Sequence, residues 1–169
     1  MKNNKFYTLK LNHSQKRIMI KCIGISEYRY KIKIIETGKE EYVNKLVDFQ
    51  EPWIESEKIK RINSILEKYS YMIFPTTMVR ESLKNRYLWE ISFFGYVLIN
   101  QKEKGNYENM YMKVLDEYRK NNKINGEEID REEKKIEFNS FYSFNELFEK
   151  LEKKGVKLTE EEVEMMLLT

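Results

Sequence analysis

Apolar and polar residues alternate with a two-residue period over most of the first fifty positions, the mark of strands with one covered face. Residues 6–11 set Tyr7, Leu9 and Leu11 on one side, and Asn12, His13 and Ser14 supply a turn. Residues 16–25 place Ile18, Ile20 and Cys22 against Arg17, Met19 and Lys21. The cleanest alternation runs over 27–36, with Tyr28, Tyr30, Ile32 and Ile34 toward a core and Arg29, Lys31 and Lys33 toward solvent. A turn at Thr37-Gly38-Lys39 follows, and 41–49 continues as a less regular strand containing Tyr42 and Leu46. The pattern predicts an antiparallel β-meander over 1–50, a small sheet or half-barrel with one wet face.

Pro52 ends this region, because proline lacks a ladder donor. The period then becomes helical over 57–69, with Ile59, Ile62, Ile65, Leu66 and Tyr69 on one stripe and Ser56 as N-cap. A short strand over 71–74, ended by Pro75, and a short helix over 78–84 capped by Thr77 come next. Residues 87–100 are the longest nearly uncharged run. Their alternation and β-branched and aromatic content predict a central strand, bent or bulged at Gly95. A polar turn at 101–105 leads to an amphipathic helix over 107–120, then a polar loop over 121–133.

The C-terminal third carries the sharpest local signals. After a strand over 135–141, Ser143 with Glu146 forms a capping box for a helix over 144–154 whose stripe is Phe144, Leu147, Phe148 and Leu151. Gly155 suits the residue after that helix. Thr159 with Glu162 opens a last helix, and the run Met165-Met166-Leu167-Leu168 is expected to dock on the protein's own sheet. The expected fold class is α+β. One domain over 1–169 contains the meander (1–50), a helix and strand core (51–133), and a strand with two C-terminal helices (134–169). The meander, the central strand and the strand near 136–141 would share a mainly antiparallel sheet covered by amphipathic helices.

Composition narrows the chemistry. At 169 residues the chain can bury a real core, and 14% aromatics against two prolines is not a disordered composition. No apolar run approaches the ~20 residues of a membrane helix, no apolar stretch follows the basic N-terminus, and a single cysteine suits a reducing compartment. A cytoplasmic protein without membrane contact is expected. Heavy use of Lys, Asn, Ile, Glu and Tyr reads as AT-rich coding, as in a low-GC bacterium or a phage or plasmid within one. Charge is sided: residues 1–35 hold nine Lys and Arg against Glu27 alone, whereas 127–169 hold thirteen acids against seven bases.

Catalytic motifs are missing. Neither a dinucleotide nor a phosphate-loop glycine pattern occurs, nor a nucleophile elbow, so no cofactor is expected. His13 and Cys22 lack the companions of a zinc site and any third group to orient them as a catalytic pair. Asp48, Glu51, Glu90, Glu137 and Lys135 would have to converge for carboxylate-based metal chemistry, with Glu90 set in an apolar strand. The C-terminal helix pair is too acidic to enter a major groove. What stands out is the basic sheet face of Arg17, Lys21, Arg29, Lys31 and Lys33. It is the expected site for a partner. The reading that follows is a non-catalytic protein-interaction factor of the phage or mobile-element accessory, inhibitor or immunity kind. Nucleic-acid binding by the same face is the alternative, weakened because Tyr28 and Tyr30 should point inward rather than stack on bases.

Overall fold

The structure of the protein is a computed structural model. It describes residues 1–10, 16–81, 89–109, 112–113 and 140–168, with backbone alone for 77–81 and 89–94. Its class is α+β with antiparallel sheets. The strands do not share one sheet, however. Among the described residues five form one sheet and two form another, and the chain divides into two compact units, Met1–Arg61 with Ser143–Thr169, and Ile62–Tyr142.

In the first unit, β1 (Phe6–Lys10), β2 (Arg17–Ile25), β3 (Arg29–Ile34), β4 (Glu40–Asn44) and β5 (Asp48–Gln50) lie in the order β4-β3-β2-β1-β5. The strand expected over 41–49 is broken, because β4 pairs with β3 while β5 crosses to the far edge and pairs with β1. Only residues 45–47 join them, a reach of about 14 Å between Asn44 and Asp48. In a flat sheet the two edges would stand about 19 Å apart, so this sheet curls toward a barrel. Tyr7, Leu9, Ile20, Cys22 and Ile32 are buried inside the curl, with Ile18, Tyr30, Ile34, Val43 and Phe49 packed around them. One expected core residue is not there: Tyr28 lies in the turn before β3 and is 74% exposed. Leu46, placed in a strand by the sequence, lies in the turn after β4 and is 92% exposed. The expected turn at 12–14 lies outside the described residues.

Two helices complete this unit, α2 (Phe144–Lys153) and α3 (Glu160–Leu167), where α1 (Ile59–Leu66) is the earlier helix on the chain. Both C-terminal helices begin with the expected reciprocal capping boxes. Beyond α2, Gly155 at φ +78° donates to Glu152 O and Val156 to Leu151 O, the paired bonds of a left-handed helix stop. Asn145 was not foreseen as a core residue, yet it is buried beside Phe6. Extending the β1–β5 register by two residues would bring Phe6 opposite Pro52, which has no N–H to give. Asn145 takes that place: its Oδ1 accepts from Phe6 N–H at 2.9 Å and its Nδ2 donates to Phe6 O at 2.8 Å. The outer sheet face is therefore not simply wet. At β1 it meets α2, where the Phe6 and Phe148 rings pack edge to face at 5.5 Å and Lys5 bonds Glu149 at 2.6 Å.

The second unit is built on a long hairpin of β6 (Tyr71–Glu81) and β7 (Trp89–Asn100). The strand expected over 87–100 is thus present as β7. The helix expected over 78–84 is not: 78–81 continue β6, because they find a pairing partner in β7, and 82–88 lie outside the described residues. Nor does Pro75 end its strand. Its partner Tyr96 exchanges both backbone bonds with Phe141 on the opposite side, so Pro75 occupies a site that calls for no N–H. Next to it, Phe94 and Gly95 together oppose Thr76, a bulge that Gly95 turns at φ +99°, and the buried Thr76 hydroxyl donates to Gly95 O. Ile62 and Leu66 of α1 are fully buried, and Asn63 caps the free side of β6 through two bonds to Ile73. Ser56 is not the N-cap. It starts a 3-10 turn, Ser56–Lys58, that runs into α1, with Glu55 in the cap position. The polar turn expected at 101–105 is shorter, a 3-10 turn at Gln101–Glu103 with helix from 104. The loop at 121–133 and most of the strand at 135–141 lie outside the described residues.

Gly95 gives a direct test of this hairpin. A Cβ there would stand 2.8 Å from Phe141 O, on a backbone that L side chains avoid. Gly95→Ala is expected to cost about 2–3 kcal/mol, from left-handed strain and the weakened Tyr96–Phe141 bridge. Thermal unfolding followed by circular dichroism would show it as a fall of several degrees. An unchanged melting temperature would mean that the bulge is not formed.

Candidate functional site

The five cations expected to form one basic face are separated by the structure into three settings. Arg17 is committed to the fold. Its Nε donates to Thr8 Oγ1 at 3.1 Å, its Nη2 to Thr8 O at 3.0 Å, and its Nη1 pairs with Asp48 at 3.3 Å, so one guanidinium ties β2, β1 and β5 together. Lys21 and Lys33 are opposite each other on β2 and β3, half-buried in the wall of a groove between the sheet and the C-terminal helices. Arg29 and Lys31 lie toward the other end of β3, next to edge strand β4.

This last pair has apolar company. Lys31 is opposite Tyr42, its ammonium 5.8 Å from the ring centre, and it pairs with Glu40 at 3.5 Å. Arg29 is exposed and follows Tyr28 in the turn. The Lys45 N–H reaches Tyr28 O, which brings the β4–β5 turn and Leu46 to the same end of the sheet. Ile25, opposite Tyr30 at the end of β2, is also exposed. Single exposed apolar residues are ordinary, but Tyr28, Tyr42 and Leu46, with Arg29 and Lys31 alongside, give this end of the sheet an unusual share of them, while Ile25 projects from the Tyr30 face. Sequence reading missed this patch because Tyr28 keeps the strand alternation, and Leu46 falls within an expected strand, while the backbone has already turned at both. The one available signal was their position beside Ser26 and Asn44, whose side chains bond the turns.

The chemistry-bearing residues are dispersed. Cys22 is buried in the sheet core with its Sγ 3.7 Å from Gly24 O, and Glu51 accepts from Ser143 Oγ and Asn145 Nδ2 in a structural network. Asp48 is held by Arg17. His13, Lys135 and Glu137 lie outside the described residues, as does the side chain of Glu90. Among the described residues no group of three or more His, Cys, Asp or Glu could hold a metal ion, and no helix is long and apolar enough to cross a membrane. Comparison with known protein families, curated proteins and solved structures finds no match to this chain.

Proposed function

We propose that the protein is a non-catalytic interaction factor that acts in the cytoplasm and docks another protein on the patch of Tyr28, Tyr42 and Leu46. The observation that carries this reading is the 92% exposure of Leu46 beside the 74% exposure of Tyr28, with Arg29 next to them. Tyrosine and arginine are the residues that most often anchor protein interfaces, and an apolar centre with a cationic rim suits a partner of acidic surface. An accessory, inhibitor or immunity role fits a surface of this kind. Nucleic-acid binding is the second reading, favoured by one observation: Tyr28 and Tyr42 are exposed next to cations, as single-strand binders require. Leu46 and Ile25 offer a phosphate chain nothing, and Glu40 and Glu41 on β4 would oppose it.

A paired variant separates these readings. Tyr28→Ala with Leu46→Asp changes two exposed side chains, so the melting temperature should hold within a degree or two. Capture from host lysate should yield a partner that survives nuclease treatment, and the variant should lose it. Loss of that partner on nuclease treatment, with titratable binding to a single-stranded oligonucleotide, would transfer the patch to the second reading. A nuclease-resistant partner retained by the variant would remove the patch from the interface.

A further inference from the structure

The groove holding Lys21 and Lys33 is a second site, separate from the patch. The two lysines are directly opposite on neighbouring strands, an arrangement that costs stability through like-charge repulsion. Neither has a carboxylate within ion-pair distance among the described residues, since Glu40, across from Lys33, pairs with Lys31 instead. Lys21 rests over the Phe6 ring, 5.6 Å from its centre. Apolar side chains surround the pair: Phe6, Ile23 and Ile35 from the sheet, and Phe148, Leu151 and Val163 from the helices. The open groove offers about 680 Å³, within the ~300–1,000 Å³ range of small-molecule sites. Glu40, Glu152, Glu160 and Glu164 line it too, with Lys157 as a third cation, and these carboxylates set a limit on the charge a ligand can carry.

We infer that this groove binds an amphiphilic monocarboxylate, with one anionic head and an aliphatic tail. The carboxylate sits between the Lys21 and Lys33 ammonium groups, where two charge-assisted hydrogen bonds replace their mutual repulsion. The tail lies along Ile23, Ile35 and Leu151, exchanging water for apolar contact. Polyanions such as nucleic acids are turned away by the glutamates, and a cationic amphiphile meets the lysines.

Isothermal titration of the full chain with decanoate, 1-decanol and decyltrimethylammonium, each below its micelle concentration, tests this on the wild-type protein. Decanoate should bind saturably at one site, with the cationic amphiphile at least tenfold weaker. Lys21→Met with Lys33→Met should weaken decanoate at least tenfold and leave 1-decanol unchanged. Val163→Trp, which fills the groove without touching the lysines, should weaken both decanoate and 1-decanol. The proposal falls if decanoate does not saturate, if the cationic amphiphile binds as well, or if both substitutions leave decanoate affinity unchanged. It falls equally if a peptide of alternating Glu and Leu binds where decanoate does not, which would assign the groove to a protein segment. The head-group comparison needs no variant, so it decides the matter even if the double lysine variant fails to fold.

Discussion

Asn145→Asp is expected to lower the melting temperature at pH 7 by roughly 6–20 °C, although it exchanges one amide nitrogen for an oxygen. Asn145 serves as both donor and acceptor to Phe6, and its Nδ2 also lies 3.4 Å from Glu51 Oε1. A carboxylate there would face the Phe6 carbonyl and the Glu51 carboxylate with no hydrogen to offer, at a residue only 5% exposed. Leaving a buried charge uncompensated costs about 3–5 kcal/mol, or roughly 6–20 °C in a chain of this size.

The pH dependence gives the mechanism its own check. Burial and the neighbouring Glu51 would raise the new carboxyl above the ~3.9 of an unfolded aspartate. The folded state then holds its proton over a range where the unfolded state has lost it. The deficit relative to wild type should be small below about pH 4, where the protonated acid can donate to Phe6 O. It should widen as pH rises through the folded pKa. A deficit that stayed constant from pH 3 to 7 would show that the residue is not serving as the missing strand partner. Asn145→Ala should cost less at neutral pH, because it leaves polar groups unpaired without adding a charge.

The legible parts of this fold were those whose cause lies within a few residues. Ser143 and Glu146, Thr159 and Glu162, and the stop at Gly155 each complete their bonds inside one helical turn. Strand alternation likewise located β1 to β3, and one glycine marked the bulge in β7. What was hidden depends on distant chain. Pro75 continues a strand only because Phe141 takes the backbone bonds of Tyr96, and 78–81 are extended only because β7 lies alongside. Asn145 is polar in sequence and buried in the fold because it supplies the two backbone bonds of Phe6 beyond the point where β5 leaves β1.

The same distinction explains the basic face. Alternation correctly put Lys21, Arg29, Lys31 and Lys33 on the side away from the barrel core. It carried no information about what would cover that side. The C-terminal helices and the sheet form the groove that Lys21 and Lys33 line, β5 brings Asp48 to Arg17, and among the described residues the β3–β4 end around Arg29 and Lys31 is open. Cations on one side of the strand pattern thus become a structural clamp, a groove wall and the border of an exposed end, and each is defined by residues far along the chain.

Removing 158–169 is expected to lower the melting temperature by about 5–15 °C. Met166 and Leu167 are almost completely buried, each worth ~1.5–3 kcal/mol of transfer free energy, and part of that gain is offset by the cost of ordering the segment. An eight-residue helix is too short to hold together alone, so α3 exists through its docking. Two cations fasten its end: Lys58 Nζ donates to Leu167 O at 2.8 Å and Arg61 Nη1 to Leu168 O at 2.9 Å, meeting the carbonyls and negative pole of the helix. Burial holds the Lys58 ammonium below the usual lysine range, and its Nζ lies 5.4 Å from the centre of the Phe144 ring. Lys58→Met should therefore reproduce a smaller part of the truncation's effect, about 1–2 kcal/mol, with loss of protection in the amide hydrogen exchange of α3 before that of α2. If truncation left the melting temperature unchanged, the tail would not be docked, and Val163 and Glu164 could not wall the groove that Lys21 and Lys33 share with them.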